Sequence, residues 1–200
     1  MHQYKGRMIL HTGSMFSGKT SSLERDLKRF AIANYKTIAF KPKIDSRYSK
    51  TEIVSHDLNK YTAILVNDSE EIYDYVIENN PQVIGVDEIQ FLKDRPEELI
   101  KNLGKILSLG ITIVIAGLDM DYLAKPFELV KELMPLADYV NKHHAVCKKC
   151  GSDAWVSHRK VKGQSRLVLG AEEEYEPLCR SCYIKALEED KINLNQEKFL

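Results

Sequence analysis

A chain of 200 residues and 23.0 kDa has room for one ordinary domain, or for one of about 150 residues with a small appendage, and excludes anything larger. With 44% hydrophobic and 29% charged residues, 10 Gly and 6 Pro, it can build a core and lacks the bias of disordered, collagenous or low-complexity chains. Lys+Arg 29 against Asp+Glu 29 leaves no net field to draw the molecule onto nucleic acid or an anionic membrane, although a local basic patch remains open. The most apolar stretch, Ile106 to Leu118, is broken by Ser108, Gly110 and Thr112 and falls short of the roughly 20 residues that span a bilayer. The N-terminus has no apolar run followed by a small-residue cleavage site. These features point to a cytosolic chain with no membrane partner.

In chain order, the pattern predicts a strand at Met8–His11, a helix at Lys19–Asn34, and strands at Thr37–Phe40 and Ala63–Val66. A helix at Ser69–Asn79 follows with Ser69 as its N-cap, then a strand at Val83–Val86, a helix from Arg95 to Ser108 ending near Gly110, and a strand at Ile111–Ala116. Short apolar runs alternating with amphipathic ones are the pattern of a mostly parallel α/β sheet with crossover helices. The runs VIGV and ITIVIA have almost no polar alternation, as strands buried on both faces require.

After about Tyr139 the pattern changes to a polar stretch that cannot build much of a core unaided. This divides the chain into an α/β nucleotide-binding domain over 1–140, a small metal-binding domain over 141–190 and a loose tail over 191–200, with a short helix starting at Tyr183. There is no internal repeat.

Gly13-Ser14-Met15-Phe16-Ser17-Gly18-Lys19-Thr20 is a GxxxxGK[ST] phosphate loop between an apolar strand and an amphipathic helix. Such a loop turns backbone N–H groups inward as an anion nest, and the helix N-terminus adds partial positive charge. Lys19 would reach the terminal phosphates and the Thr20 hydroxyl would ligate Mg²⁺. The loop calls for an acidic residue ending a neighbouring buried strand, and Asp87 after VIGV supplies it, leaving Glu88 as a base for a nucleophile in line with the γ-phosphate. The plainer alternative is that Asp87 and Glu88 cap the next turn.

The four cysteines form two CxxC pairs, Cys147/Cys150 and Cys179/Cys182, the spacing of a four-thiolate zinc ribbon with a long excursion of roughly 28 residues between them. Four thiolates select Zn²⁺ and close its shell, so the metal is read as structural. His143 and His144 read as surface residues or as outer neighbours of the site. The excursion, tied at both ends, can close over a substrate at the phosphate loop.

Taken together and in order, GSMFSGKT, Asp87-Glu88-Ile89-Gln90-Phe91, Gly117-Leu118-Asp119, AVCKKCG, Leu169-Gly170-Ala171, Glu174-Tyr175 and CRSCY resemble the zinc-containing P-loop thymidine kinases, over roughly residues 5–185. The resemblance implies transfer of the ATP γ-phosphate to the 5′-hydroxyl of thymidine or deoxyuridine with Mg²⁺, in a cytoplasmic homotetramer inhibited by dTTP. It makes Glu88 the general base and the excursion a "lasso" whose backbone, at Val168, Leu169 and Gly170, meets the base. It assigns the pyrimidine pocket to Met15, Phe91, Leu118, Tyr122, Phe127, Ser157 and Tyr175, and brings Asp45 and Arg47 to the sugar and phosphates. The chain departs from the family pattern at Ser14, Ile89, Tyr122, Ser157 and Ala171, which bears on base selectivity and loop mobility rather than on the reaction.

On residue type alone, Met15, Leu118 and Phe127 are equally core positions, Tyr175 belongs to a solvated acidic run, and Asp45 with Arg47 is a surface pair. A different class is also open, a P-loop ATPase with a nucleic-acid-binding zinc ribbon. Lys142, Lys148, Lys149, Arg159, Lys160, Lys162 and Arg166 stand against one acidic residue, Asp153. Four carboxylates between Glu172 and Glu176 and the lack of an RNA-type aromatic cluster count against that class. A deoxynucleoside kinase of another base preference is a further alternative.

Overall fold

The computed structural model describes residues 6–43, 52–54, 60–160 and 174–196. Strand β1 (Met8–Gly13) leads through the phosphate loop into helix α1 (Lys19–Ile32). There follow β2 (Thr37–Pro42), β3 (Glu52–Val54), β4 (Lys60–Val66), α2 (Ser69–Asn79), β5 (Val83–Val86), a 3₁₀ turn (Ile89–Phe91), α3 (Pro96–Ser108), β6 (Thr112–Leu118), α4 (Glu128–Leu133) and β7 (Tyr139–His143). These seven strands form one sheet in the order β3-β4-β2-β5-β6-β1-β7, parallel except for the antiparallel β3–β4 edge.

The two faces of the sheet are covered by different helices. On one face Leu23, Leu27 and Phe30 of α1 pack on Ile9, Ala39, Val83, Val114 and Ala116. On the other, Ile72 and Val76 of α2, Leu99, Leu103 and Ile106 of α3 and Val130 and Leu133 of α4 pack on Leu10, Phe40, Ile84, Val86, Ile113 and Ile115. Successive β6 residues therefore serve opposite faces, which is why VIGV and ITIVIA carry no polar alternation: every residue of β5 and all but the last of β6 are buried.

The sequence places the main elements within a few residues, and the differences have local causes. Helix α1 ends at Ile32 because Asn34 turns left-handed at φ 62°. The N-cap of α2 is Asp68, whose carboxylate accepts the Glu71 N–H, while Ser69 lies inside the helix with its own N–H and hydroxyl on Asp94. Strands β3 and β7 and helix α4 are additions that no strong pattern announces. β7 in particular is short, polar and exposed on most of its residues, and it is held by parallel pairing to β1.

Beyond the sheet, β8 (Val156–Arg159) and β9 (Tyr175–Leu178) pair antiparallel, and α5 runs over Arg180–Gln196, longer than the short helix expected from Tyr183. This lobe has its own small cluster of Ala145, Cys147, Ala154, Val156, Leu178, Tyr183 and Ala186. No helix among the described residues is long and apolar enough to cross a membrane.

Leu103 is fully buried on the sheet-facing side of α3. Leu103→Ala should lower unfolding stability by about 2–5 kcal/mol, read from the midpoint of urea unfolding at unchanged m.

Candidate active site

The phosphate loop begins where β1 meets β7. Gly13 has φ 137°, and a Cβ there would lie 2.1 Å from the His143 carbonyl oxygen, so only glycine lets the loop leave the sheet at this point. Gly18 sits left-handed at φ 81° as the N-cap of α1. Between them the loop is braced by the Ser17 hydroxyl and the Lys19 ammonium, which donate to the Ser14 carbonyl at 2.8 and 2.7 Å. Lys19 is a buried cation at the mouth of a helix, where an anion is favoured.

Asp87 ends β5 beside the loop and accepts the Thr20 hydroxyl at 3.2–3.3 Å. Burial pushes its carboxyl up to about 7, the neighbouring Glu88 charge adds to this, and Lys41 and Lys19 oppose it. A cation at the Thr20–Asp87 junction would relieve that cost, which is the electrostatic setting an octahedral divalent ion with oxygen ligands uses.

Glu88 has left-handed backbone, φ 51° and ψ 42°, a conformation costing a non-glycine residue about 1–3 kcal/mol. Three contacts hold it there: its N–H donates to Asp87 Oδ1 at 3.0 Å, its carbonyl accepts the Phe91 N–H at 3.0 Å, and Gln90 Nε2 donates to Glu88 Oε2. Gln90 in turn accepts the Leu118 N–H through Oε1 at 3.0 Å, so one amide spans the ends of β5 and β6 and aims the Glu88 carboxylate. Gly117 makes room for this, since a Cβ there would meet Ile89 at 2.6 Å and Gln90 Oε1 at 3.0 Å. Nothing in the local motif marks Gln90 for this task, because its two contacts join residues from separate strand ends.

Around this centre the described residues of the expected base pocket come together in three groups. The Met15 N–H donates to Ser157 Oγ at 2.8 Å, tying the phosphate loop to β8. Phe91 and Phe127 meet edge to face with centroids 6.5 Å apart, and Leu118 packs on the same core. Tyr122 lies under the Arg159 guanidinium, 3.7 Å from ring centroid to Cζ, and its carbonyl accepts the Tyr183 hydroxyl at 2.9 Å. Tyr175 is buried and pairs with Arg159 across β8–β9, so it is not part of a solvated run. Asp45, Arg47, Val168, Leu169 and Gly170 lie outside the described residues. Asp119, buried at the end of β6, faces Lys142 at 3.0 Å.

The cysteines converge. One sulfur from each of Cys147, Cys150, Cys179 and Cys182 lies within 4.8 Å of the others, with Cys150 and Cys179 at 3.6 Å. A tetrahedron of sulfurs at about 2.3 Å from zinc has edges of about 3.8 Å, so the set fits one ion. Hydrogen bonding from Ser152 lowers the Cys150 thiol to about 6, while bonding to Cys179 and burial drive Cys182 up to about 12. Four thiolates this close need a cation to ionise together. His144 is exposed, and His143 is turned to His11 rather than to the sulfurs.

A parallel sheet whose first strand runs into a glycine-bounded anion loop, with paired carboxylates following β5, the next strand but one, defines a P-loop nucleotide-binding protein. A family model described as thymidine kinase matches residues 6–183. Thymidine kinases from Bacteroides thetaiotaomicron (44% identical, covering 93% of this chain and 91% of theirs) and Porphyromonas gingivalis (42%, 90% and 86%) are similar over nearly their whole length. That of a Rhodothermus species is 40% identical over 86% of this chain and 78% of its own. The chain belongs to the thymidine kinase family. The fold alone is shared with the flagellar accessory protein FlaH of Methanocaldococcus jannaschii, at TM-score 0.52 and 13% identity over 74% of this chain and 75% of that one.

Gly13→Ala should force β1 and β7 apart, because the new methyl meets backbone rather than a side chain that can swing away. At least tenfold weaker ATP binding by calorimetry, with the far-UV circular dichroism of the sheet retained, is the expected outcome.

Proposed function

We propose that this chain transfers the γ-phosphate of ATP to the 5′-hydroxyl of thymidine, and of deoxyuridine, as an enzyme of pyrimidine salvage. The observation that carries the reading is Glu88, held in left-handed backbone by Gln90 next to the carboxylate that faces Thr20. A nucleotide switch needs Lys19, Thr20 and Asp87; a second carboxylate aimed past them suits a hydroxyl that must lose its proton.

In this reading the loop N–H groups and Lys19 hold the phosphates, and Glu88 takes the 5′-hydroxyl proton. Thr20 and Asp87 would hold Mg²⁺, which neutralises charge developing on the transferring group. Met15, Phe91, Leu118, Tyr122, Phe127, Ser157 and Tyr175 would enclose the base, with Asp45 and Arg47 at the sugar and phosphates and Val168, Leu169 and Gly170 closing over the ring. The four cysteines would hold one structural Zn²⁺ in place of a larger core, with a division of the chain near residue 140. A cytoplasmic homotetramer inhibited by dTTP belongs to the same reading. Two of the basic residues that favoured a nucleic-acid-binding ribbon have tasks within the site: Lys142 faces Asp119 and Arg159 stacks on Tyr122.

ATP consumption with each of the four deoxynucleosides in turn tests the substrate class; turnover should occur with thymidine and not with deoxycytidine, deoxyadenosine or deoxyguanosine. Glu88→Gln keeps size and hydrogen bonding but not basicity, so kcat for thymidine should fall by about 10²–10⁴ while ATP affinity persists. Near-normal turnover would remove Glu88 from the chemistry.

Metal analysis of protein purified without chelator should give one zinc per chain, and Cys150→Ser should lose it. Chelation or that substitution should raise KM for the nucleoside and melt the small lobe first, since its few buried residues cannot replace the metal.

A further inference from the structure

Two residues before the phosphate loop, β1 carries a histidine that the proposed reaction does not use. His11 is 2% exposed, and both ring nitrogens are engaged: Nε2 with Asp26 Oδ2 of α1 at 3.1 Å, and Nδ1 with His143 Nε2 of β7 at 3.0 Å. The rings of His11 and His143 are tilted 40° with centroids 5.2 Å apart. His143 is paired in register with Gly13, and its carbonyl oxygen is the atom that excludes a side chain there. The chain of contacts therefore runs from α1 through β1 to β7 at the point where the loop leaves the sheet.

The protons of this chain can be counted. Burial would raise the Asp26 carboxyl, but the hydrogen bond and charge of His11, with Arg25 and Arg29, bring it below the usual carboxylate range. An ionised Asp26 only accepts, so His11 Nε2 carries a hydrogen. With both rings neutral, His11 Nδ1 is an acceptor and His143 Nε2–H donates to it. With one extra proton on the pair, one of the two facing nitrogens can still accept while the other donates, so the contact persists, with its direction reversed when the proton sits on His11. With two, both nitrogens carry hydrogens and face each other at a distance that suits one. Burial, followed by the charges of His11, Lys19, Arg25 and His144, holds His143 below the ordinary histidine value. From β7, Lys142 is directed to Asp119, and β6 on the far side of β1 contains no charged residue.

We propose that His11 is a positioning residue for the phosphate loop: clamped between Asp26 and His143, it holds β7 against β1 at Gly13 while the histidine pair carries no more than one extra proton, and it opens that seam when a second arrives. The proposal rests on the loop being the ATP phosphate site. A buried imidazole pair reports pH through a bond that exists in two protonation states and not in the third, so the loop keeps its shape at neutral pH and loses it in acid.

His143→Gln keeps a donor for His11 Nδ1 and removes the second titration. ATP binding by calorimetry is measured for both proteins from about pH 8 down to about pH 5.5, with nucleoside absent so that the readout does not depend on turnover. Every other ionisable group, the ATP phosphates included, is common to both proteins, so the ratio of the two Kd values isolates the pair. One linked proton changes an affinity by up to about tenfold per pH unit, and wild-type affinity should fall relative to the variant by roughly that factor below the ordinary histidine range. A ratio that stays constant across the range overturns the proposal. Absence of ATP binding in both proteins at every pH overturns the phosphate-site reading and the proposal with it, whereas ATP binding without thymidine turnover leaves the proposal standing and removes only the kinase reading. If His143→Gln does not fold, wild-type protein labelled at histidine nitrogen decides the matter by NMR. Two imidazoles titrating in coupled steps, the second well below about 6.5, support the proposal; histidines all titrating independently near that value overturn it.

Discussion

The backbone of β1 can turn into an anion-binding loop at Gly13 only because β7 presses its His143 carbonyl into the space where a side chain would be. That close approach sets the mouth of the loop, and the remaining parts of the site are arranged around it. Helix α1 starts from Gly18 and carries Lys19 and Thr20 on its first turn; β5 delivers Asp87 to Thr20 from the other side. Because β1 lies between β6 and β7 and β6 lies beside β5, the strand ends that carry chemistry share one edge of the sheet. This is the crevice at the carboxyl ends of parallel strands, where open α/β sheets place their ligands.

Within that crevice, two carboxylates of adjacent residues are set in different environments. Asp87 is buried against Thr20 and pays for its burial with a raised titration point, which a divalent cation would offset. Glu88 is turned out of the strand by a left-handed backbone that no glycine provides, and Gln90 holds it by spanning two strand ends. Strain fixed by a polar clamp is a way of aiming a reactive group before substrate arrives. The main core beneath it, with Ile89 fully buried, gives the clamp a rigid base.

The small lobe and the sheet are joined through the loop itself. Phe16, left-handed at φ 62°, packs on the cluster that also contains Trp155, Cys179 and Cys182, and the next residue toward the sheet, Met15, donates its N–H to Ser157. Whatever fixes β8 therefore also fixes one side of the phosphate loop. Arg159 and Tyr183 extend this bracing to Tyr122, so the wall of the expected base pocket is held by a stacked guanidinium and a hydroxyl from the same lobe.

The residues by themselves determined the parallel α/β core, the phosphate loop, the Asp87-Glu88 pair and the four-cysteine cluster, because each rests on short-range patterns: strand-helix periodicity, glycine and lysine at fixed offsets, and CxxC spacing. Strand β7 has no signal in the sequence because Tyr139–His143 is mostly exposed, and an edge strand held by backbone pairing needs no apolar signature. His143 was legible only as a histidine near cysteines; its contact with His11, 132 residues away, joins β1 to β7 and exists only once the sheet is formed. The tasks of Gln90 and Arg159 likewise depend on hydrogen bonds and stacking between separate elements, Gln90 to Leu118 and Arg159 to Tyr122. A local motif can state which groups are present for chemistry, but direction and preorganisation come from contacts between residues far apart in the chain, and these only the tertiary structure decided.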